Sequence, residues 1–153
     1  MDNLKELSKH KIFLNIAKEI ASLSHCVSHK VGVVLVKNGR ILSTGINGTP
    51  SGFKNCDEVF EFNNFNRNAH HDFSEKFEIH AETNAILFAA KNGISIEGAS
   101  LYSTLHPCNT CLKMICNSGI KNVYYTEEYD LFNTDNYIDE MLKECNINIT
   151  KIN

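Results

Sequence analysis

The sequence contains no apolar run that approaches the roughly 20 residues a membrane-spanning helix needs. Its N-terminus also lacks the apolar core and the small-residue cleavage site of a signal peptide. Positive charge is not in excess, because 15 Lys and Arg face 18 Asp and Glu, for a formal net charge of -3. We therefore expect a cytoplasmic protein with no membrane partner. The acidic net charge also argues against nucleic acid as a binding partner.

The length and the cysteine content narrow the class further. The chain has 153 residues, 42% of them hydrophobic, which suits one domain with one sizeable core spanning residues 1–153. Six cysteines in a chain without a secretion signal should be reduced. They are therefore candidates for metal ligation or catalysis before disulfides.

Hydrophobic periodicity predicts strands that alternate with helices. The predicted helices cover residues 4–23, 79–91, 108–117 and 137–145, and the predicted strands cover 31–36, 41–46, 100–104, 123–126 and 147–149. The first two strands form a hairpin that we expect to be buried on both faces. Residues 47–77 show no clear period, and so long a loop normally carries function or a metal. The pattern predicts a layered α/β domain with helices on both sides of one sheet.

Two motifs carry the chemistry. His80-Ala81-Glu82 begins one predicted helix, and Pro107-Cys108-Asn109-Thr110-Cys111 begins another. One His and two Cys ligands leave the fourth tetrahedral position of a zinc ion open for water, as a catalytic site requires. A helix N-terminus also favours the anionic form of the two sulfurs. The motifs therefore predict a catalytic zinc site with an open position.

Glu82 lies two residues after His80 and can face the open position without being a ligand. Zinc lowers the pKa of water, and Glu82 would take the proton and deliver it to a ring nitrogen and then to a leaving amine. A lone CxxC is more often structural or redox-active, and a lone His-x-Glu means little. Together, in this order and at two helix starts, they match the zinc-deaminase signature H-x-E…P-C-x-x-C.

Two long blocks resemble deoxycytidylate deaminase, particularly the bacteriophage type. They are residues 30–55 (KVGVVLVKNGRILSTGINGTPSGFKN) and residues 78–130 (EIHAETNAILFAAKNG through TLHPCNTC to YYTEEYD). The resemblance implies a cytidine deaminase-like α/β/α sandwich in three layers around a mixed five-stranded sheet. It also implies hydrolysis of dCMP to dUMP and ammonia for thymidylate synthesis, in a host cytoplasm if the source is a phage. The zinc ligands fall on His80, Cys108 and Cys111, and the proton shuttle falls on Glu82.

The resemblance implies four substrate contacts as well: Asn47, Ala81, Thr104 and Tyr129. Asn47 is expected to hold the sugar, and Tyr129 matches a family Tyr that contacts the substrate. His106 precedes Pro107, where phage relatives tend to carry a small residue, and its role stays open. The sequence assigns no group to the substrate phosphate, for which three cations are available: Lys30, Lys54 and Arg67.

A second ligand set remains outside the first motif. Without the resemblance, its two cysteines would be interpreted as small buried hydrophobic residues, and its histidines as surface residues. The phage-type resemblance implies instead a second, structural zinc ion held by Cys26, Cys56, His70 and Glu78, with His71 as the competing ligand. Four such ligands complete a tetrahedral site, and a metal clip would stabilise a long loop that lacks packing of its own.

The resemblance further implies a homohexamer that dCTP activates and dTTP inhibits, with Mg²⁺ accompanying the triphosphate. We expect the effector at the hairpin and the turn after it, near Asn38, Gly39, Ile46 and Gly48. Glycines there allow close backbone approach. Ile46 replaces the aromatic residue of the family's G-Y-N-G motif, so we expect dCTP and dTTP to control the activity only weakly.

Two other functions stay open. The same signature serves deaminases of other substrates, including dCTP, free nucleosides, guanine and tRNA adenosine. A zinc-stabilised binding module without catalysis is the second alternative, and it would need neither Glu82 nor an open metal position. The acidic charge and the single CxxC count against that module.

Overall fold

The computed structural model describes residues 2–128 and 136–153. Its helices are α1 (Asp2–Ala21), α2 (Cys56–Val59), α3 (Arg67–Phe77), α4 (Ala81–Lys91), α5 (Asn109–Cys116) and α6 (Asn136–Glu144). Its strands are β1 (Gly32–Lys37), β2 (Arg40–Ile46), β3 (Ser100–Leu105), β4 (Asn122–Glu127) and β5 (Asn148–Lys151). None of the helices in these two ranges is long and apolar enough to cross a membrane.

The five strands form one mixed sheet in the order β2-β1-β3-β4-β5. Strand β1 pairs antiparallel with both β2 and β3, whereas β3, β4 and β5 run parallel to one another. Parallel neighbours need a crossover, and α5 and α6 supply the two crossovers that this part of the sheet requires. The predicted mixed five-stranded sheet is confirmed.

Helices cover both faces of the sheet, which confirms the predicted three layers. The side chains of β1 alternate between two cores, because successive strand residues point to opposite faces. Val34 and Val36 pack with the α1 residues Leu14 and Ala17. Val33 and Leu35 belong to the larger core, to which α4, α5 and α6 contribute Ala85, Leu112 and Leu142 among others.

The hairpin differs from its prediction in one respect. Strand β1 is buried on both faces, but β2 lies at the edge of the sheet and exposes Arg40, Ile41 and Thr44. The expectation of a hairpin buried on both faces was therefore wrong for β2. An edge strand lacks a neighbour on one side, so fewer of its side chains are covered.

The segment predicted to be irregular contains a helix. Helix α3 runs for 11 residues and begins after Asn66, whose side chain accepts a hydrogen bond from the backbone N–H of Ala69 at 2.9 Å. Its buried residues are His70 and Phe73, which contact cysteines and phenylalanines instead of the aliphatic core of the sheet. The usual aliphatic period is therefore missing from its sequence, which is why the prediction of an irregular segment through residue 77 was wrong.

Gly45 determines how closely α4 packs on the sheet. A Cβ atom at this position of β2 would collide with the carbonyl oxygen of Ala81 and lie 2.6 Å from the backbone nitrogen of Ala85. Both atoms belong to the helix backbone, so neither can rotate away. The missing side chain lets the first turn of α4, which carries Glu82, lie directly against β2.

We predict that Gly45→Ala destabilises the fold by about 1–3 kcal/mol or more, because the new methyl group meets two backbone atoms of α4. Urea denaturation followed by circular dichroism measures this loss. Gly48→Ala is the matched control, since nothing lies within 4 Å of a Cβ atom built there. Equal stability of the two variants would show that the close contact between α4 and β2 is not required.

Candidate functional site

Two helix N-termini converge to form a cluster of metal-ligand side chains. His80 is the N-cap of α4, and Cys108 is the N-cap of α5. The Nδ1 atom of His80 lies 3.4 Å from the Sγ atoms of both Cys108 and Cys111. All three donor atoms lie within 4.8 Å of one another. The structure thus brings together the first predicted ligand set, which we call the first cluster.

The thiols of the first cluster are polarised by their own hydrogen bonds. Hydrogen bonding from Cys111 lowers the pKa of Cys108 to about 4, and His80 contributes in the same direction. The same contact with Cys108 raises the pKa of His80. Cys108 therefore has thiolate character, which is the form that ligates a metal.

Glu82 lies beside the first cluster in the first turn of α4. Its side chain is 4% exposed, and its Oε2 atom accepts a hydrogen bond from Cys111 Sγ at 3.5 Å. Burial raises the pKa of its carboxyl group. A buried carboxyl group beside metal-ligand atoms has the position that a general acid–base group requires.

The second predicted ligand set also comes together, and we call it the second cluster. The donor atoms of Cys26, Cys56, His70 and Glu78 all lie within 4.8 Å of one another. Cys26 Sγ lies 3.7 Å from Nε2 of His70 and 3.9 Å from Oε2 of Glu78. His71, the competing ligand, is not a member of this cluster.

The chemistry of the second cluster fits a bound cation. Burial raises the pKa of Cys26, and it raises the pKa of Cys56 to about 12, so these thiols would ionise only with a cation beside them to offset the lost solvation. Oε1 of Glu78 is buried and finds no hydrogen-bond partner within the described residues. An unpartnered buried carboxylate oxygen is costly, and a metal ion is the kind of partner that would remove this cost.

A cavity of about 400 Å³ connects the two clusters. His80, Glu82 and Cys108 line it from the first cluster and its neighbour. Cys26, His70 and Glu78 line it from the second cluster. Its volume lies within the range of small-molecule binding sites in proteins.

Two of the four predicted substrate contacts line this cavity, namely Asn47 and Ala81. The Asn47 side chain accepts hydrogen bonds from Ser24 Oγ and Val31 N, both at 2.9 Å, and donates to the carbonyl oxygen of His29 at 2.7 Å. Those three bonds leave one N–H of the Asn47 amide for a ligand.

The other two predicted contacts are not placed at the cavity. Thr104 is absent from its described lining, and its hydroxyl accepts a hydrogen bond from the backbone of Gly32 at 3.2 Å. Tyr129 lies outside the described residues.

The four residues expected at an effector site form two separate pairs. Asn38 and Gly39 make the tight turn of the hairpin with φ of 52° and 73°. Ile46 is the last residue of β2 and Gly48 follows the strand, and both line a smaller cavity of about 110 Å³ beside the second cluster. The length of β2, at roughly 3.3 Å per residue, separates the pairs. The structure does not bring them into one pocket within a single chain.

Sequence reasoning did not place several residues in the main cavity, although it named His71, His106 and Arg67 as open candidates. Five of the seven histidines line it, and His29, His71 and His106 belong to neither cluster. The ring of His106 packs edge-on against Tyr125 with its centroid 4.7 Å away. Arg67 also lines the cavity, from α3. The spacing of Arg67 and His71 by four residues would have indicated a shared helix face, had residues 67–77 been recognised as a helix.

Comparison with known proteins gives one consistent result. The family model for the cytidine and deoxycytidylate deaminase zinc-binding region matches residues 7–127. Deoxycytidylate deaminase of Enterobacteria phage T2 is 41% identical over 95% of this chain and 94% of its own length. The enzyme of Enterobacteria phage T4 is 43% identical over 80% of this chain and 79% of its own.

A solved structure is similar over nearly its whole length. The dCMP deaminase of cyanophage S-TIM5, in complex with dCMP and dUMP, superposes with a TM-score of 0.72. It is 37% identical and covers 92% of this chain and 94% of its own. Similarity of fold and similarity of sequence therefore both lead to phage enzymes of the same kind.

Proposed function

The chain belongs to the cytidine and deoxycytidylate deaminase family, and we propose that it converts dCMP and water into dUMP and ammonia. One observation carries the proposal: buried Glu82 lies beside the first cluster on the wall of a cavity of nucleotide size. Phage relatives named deoxycytidylate deaminase support the choice of substrate. We propose that residues 1–153 act as one deaminase domain in the cytoplasm and supply dUMP for thymidylate synthesis.

His80, Cys108 and Cys111 would hold the catalytic zinc through Nδ1 and two sulfurs. Their mutual distances and the low pKa of Cys108 fit this role. When bound, zinc in such a site lowers the pKa of water, which supplies the nucleophile for C4 of the pyrimidine. Three protein ligands leave the open position that this chemistry requires.

Glu82 moves the protons of the reaction. Its carboxylate takes a proton from the attacking water and passes it to N3 of the ring, then takes the second proton of the same oxygen and delivers it to the amine that leaves C4. Burial at 4% exposure keeps bulk water away from this carboxylate, so protons pass to the substrate. The expelled amine becomes ammonia, and the ring becomes uracil.

Ala81 and Asn47 orient the nucleotide. The N–H of Ala81, the first residue of α4, has no acceptor within the helix and can donate to an oxygen of the pyrimidine. The remaining N–H of Asn47 can donate to a hydroxyl of the sugar. Because three hydrogen bonds fix the Asn47 side chain, this contact is positioned before the substrate arrives.

We predict that Glu82→Gln keeps the fold and the zinc but lowers turnover of dCMP by about 100-fold to 10,000-fold, because an amide cannot accept the proton. The loss of cytosine absorbance from dCMP, deoxycytidine and dCTP measures the activity and the substrate choice. Glu144→Gln, on the exposed side of α6, is the matched control and should keep full activity. Glu82→Gln activity within about tenfold of the parent would contradict the proton-shuttle role.

The second cluster is proposed to hold a structural zinc ion. Its two sulfurs, one imidazole and one carboxylate complete a tetrahedral set without an open position for substrate water. The unpartnered Oε1 of Glu78 supports this role. Such an ion would replace the aliphatic packing that α3 lacks, and its binding free energy would contribute to folding.

We predict two zinc equivalents per chain, and about one in Cys56→Ser, because only the second cluster loses a ligand. Elemental analysis counts the metal, and thermal unfolding should show Cys56→Ser melting about 5 °C or more below the parent. Cys116→Ser is the matched control, since Cys116 belongs to neither cluster. A single equivalent in well-folded parent protein would eliminate the second site.

Family membership is the basis on which we propose control by nucleotide effectors. We propose that dCTP with Mg²⁺ activates the enzyme, that dTTP inhibits it, and that the working form is a homohexamer. Two effectors with opposite actions must favour different states, because a ligand with equal affinity for both shifts nothing. Since the two residue pairs lie apart in one chain, the pair Ile46 and Gly48, on the cavity beside the second cluster, is the better placed to reach the active site.

We predict weak control, because Ile46 offers an apolar contact but no aromatic stacking to an effector base. Turnover should be measured against dCMP concentration, with magnesium and millimolar dCTP or dTTP. The half-saturation point should shift in opposite directions, by less than about fivefold. Sedimentation of the same samples reports the number of subunits. An unmoved half-saturation point with both effectors would show that the chain lacks this switch.

A further inference from the structure

The side chain of Thr83 connects the two helices that carry the first cluster. Thr83 follows Glu82 in the first turn of α4 and is partly buried. Its Oγ1 atom lies 3.9 Å from Sγ of Cys111 and 3.9 Å from Sδ of Met114. Both sulfurs belong to α5, so the hydroxyl group of Thr83 faces the neighbouring helix.

The usual partner of such a hydroxyl group is already occupied. A threonine in a helix often donates to the carbonyl oxygen four residues earlier. For Thr83 this is the carbonyl oxygen of Ile79, which accepts from the backbone of Gly48 at 3.0 Å and from the side chain of Asn84 at 3.5 Å. A carbonyl oxygen has two lone pairs, so the hydroxyl group of Thr83 is left to contact the sulfurs of α5.

The sulfur of Cys111 requires a hydrogen-bond donor. It contacts three polar groups: Nδ1 of His80 at 3.4 Å, Oε2 of Glu82 at 3.5 Å and Oγ1 of Thr83 at 3.9 Å. In a metal-bound cluster Nδ1 of His80 is itself a ligand, and the carboxylate of Glu82 only accepts hydrogen bonds. Of the three groups, the hydroxyl group of Thr83 is therefore the one that can donate to a thiolate.

The two cysteines of the first cluster differ in what favours their negative charge. Cys108 is the N-cap of α5, where the N–H groups of the first turn favour an anion. Cys111 lies one turn further along and is 1% exposed. Hydrogen bonding with Cys108 and burial raise the pKa of Cys111, whereas the hydroxyl group of Thr83 lowers it. Thr83 thus favours the thiolate at the sulfur that the helix N-terminus favours less.

We propose that Thr83 donates a hydrogen bond to the thiolate of Cys111 and so positions this sulfur for metal binding in the first cluster. The hydrogen bond withdraws negative charge from a sulfur that lies 3.5 Å from the carboxylate of Glu82. Partners of this kind orient a metal ligand and tune the metal, and a sulfur that donates less charge leaves zinc a stronger Lewis acid. Thr83 is absent from the described lining of the main cavity, so it acts through Cys111 and not on the substrate. The inference rests on the zinc site of the proposed function.

The first test replaces Zn²⁺ with Co²⁺ and compares the absorption spectra of Thr83→Val and the parent. Valine keeps the shape of threonine but removes the hydroxyl group. The sulfur-to-cobalt absorption band should move to longer wavelength, because a sulfur without the hydrogen bond gives up its electrons more easily. The second cluster is the same in both proteins, so its bands cancel in the difference spectrum. Thr83→Ser keeps the hydroxyl group and should keep the parental band.

The second test measures zinc affinity by competition with a coloured chelator. In Thr83→Val the dissociation constant of one zinc ion should rise by about tenfold to 100-fold, while that of the other stays unchanged. Thr83→Ser should retain most of the parental affinity. Thr44→Val is the matched control, because it removes an exposed hydroxyl group from β2 and should change neither readout. Circular dichroism checks the fold, and Thr83→Ala replaces Thr83→Val if the valine variant does not fold.

An unmoved cobalt band or an unchanged zinc affinity in Thr83→Val would overturn the inference. Equal changes in Thr83→Ser and Thr83→Val would also overturn it, since lost packing and not the lost hydroxyl group would then be the cause. The parent protein alone tests the proposed function. If zinc-loaded parent does not deaminate dCMP, the proposed function fails, and the comparison of the variants still decides the role of Thr83.

Discussion

The backbone contact between α4 and β2 at Gly45 fixes the position of the whole candidate site. Because Gly45 has no side chain, the carbonyl oxygen of Ala81 lies directly over the strand. His80 and Glu82 flank Ala81, so the same contact sets one metal-ligand atom and the buried carboxyl group. Helix α5 brings the two sulfurs to them from the end of β3. The chemistry is therefore built where a helix packs directly on the sheet, and such rigid elements give the precise positioning that a site requires.

The opposite wall of the cavity is stabilised by different means. Helix α3 packs on cysteines and aromatic rings. His70 in this helix and Glu78 at its C-cap join Cys26 and Cys56 in the second cluster. A metal ion there would connect the segment after α1, the short helix α2 and α3 at one point. The position of α3, and with it one wall of the cavity, would thus depend on the metal ion.

How much the sequence could predict depended on whether the signal was local. The first cluster was predicted because each motif lies at a helix start, where a few adjacent residues fix the geometry. The sheet was predicted because β1 is a continuous aliphatic run and the turn after it indicates a hairpin with β2. Helix α3 was missed because its buried residues are a histidine and a phenylalanine, and Arg67 was left unassigned with it. The separation of Asn38 from Ile46 depends on the length of β2, which a family motif does not convey.

The central claim is that dCMP is bound and deaminated in the cavity between the two clusters. Crystals of zinc-loaded Glu82→Gln soaked briefly with dCMP test this claim most directly, because the slowed turnover prolongs the lifetime of the bound substrate. Anomalous scattering at the zinc edge should show one peak between His80, Cys108 and Cys111, with the pyrimidine ring of dCMP beside residue 82. A nucleotide bound elsewhere, or no zinc at the first cluster, would contradict the account.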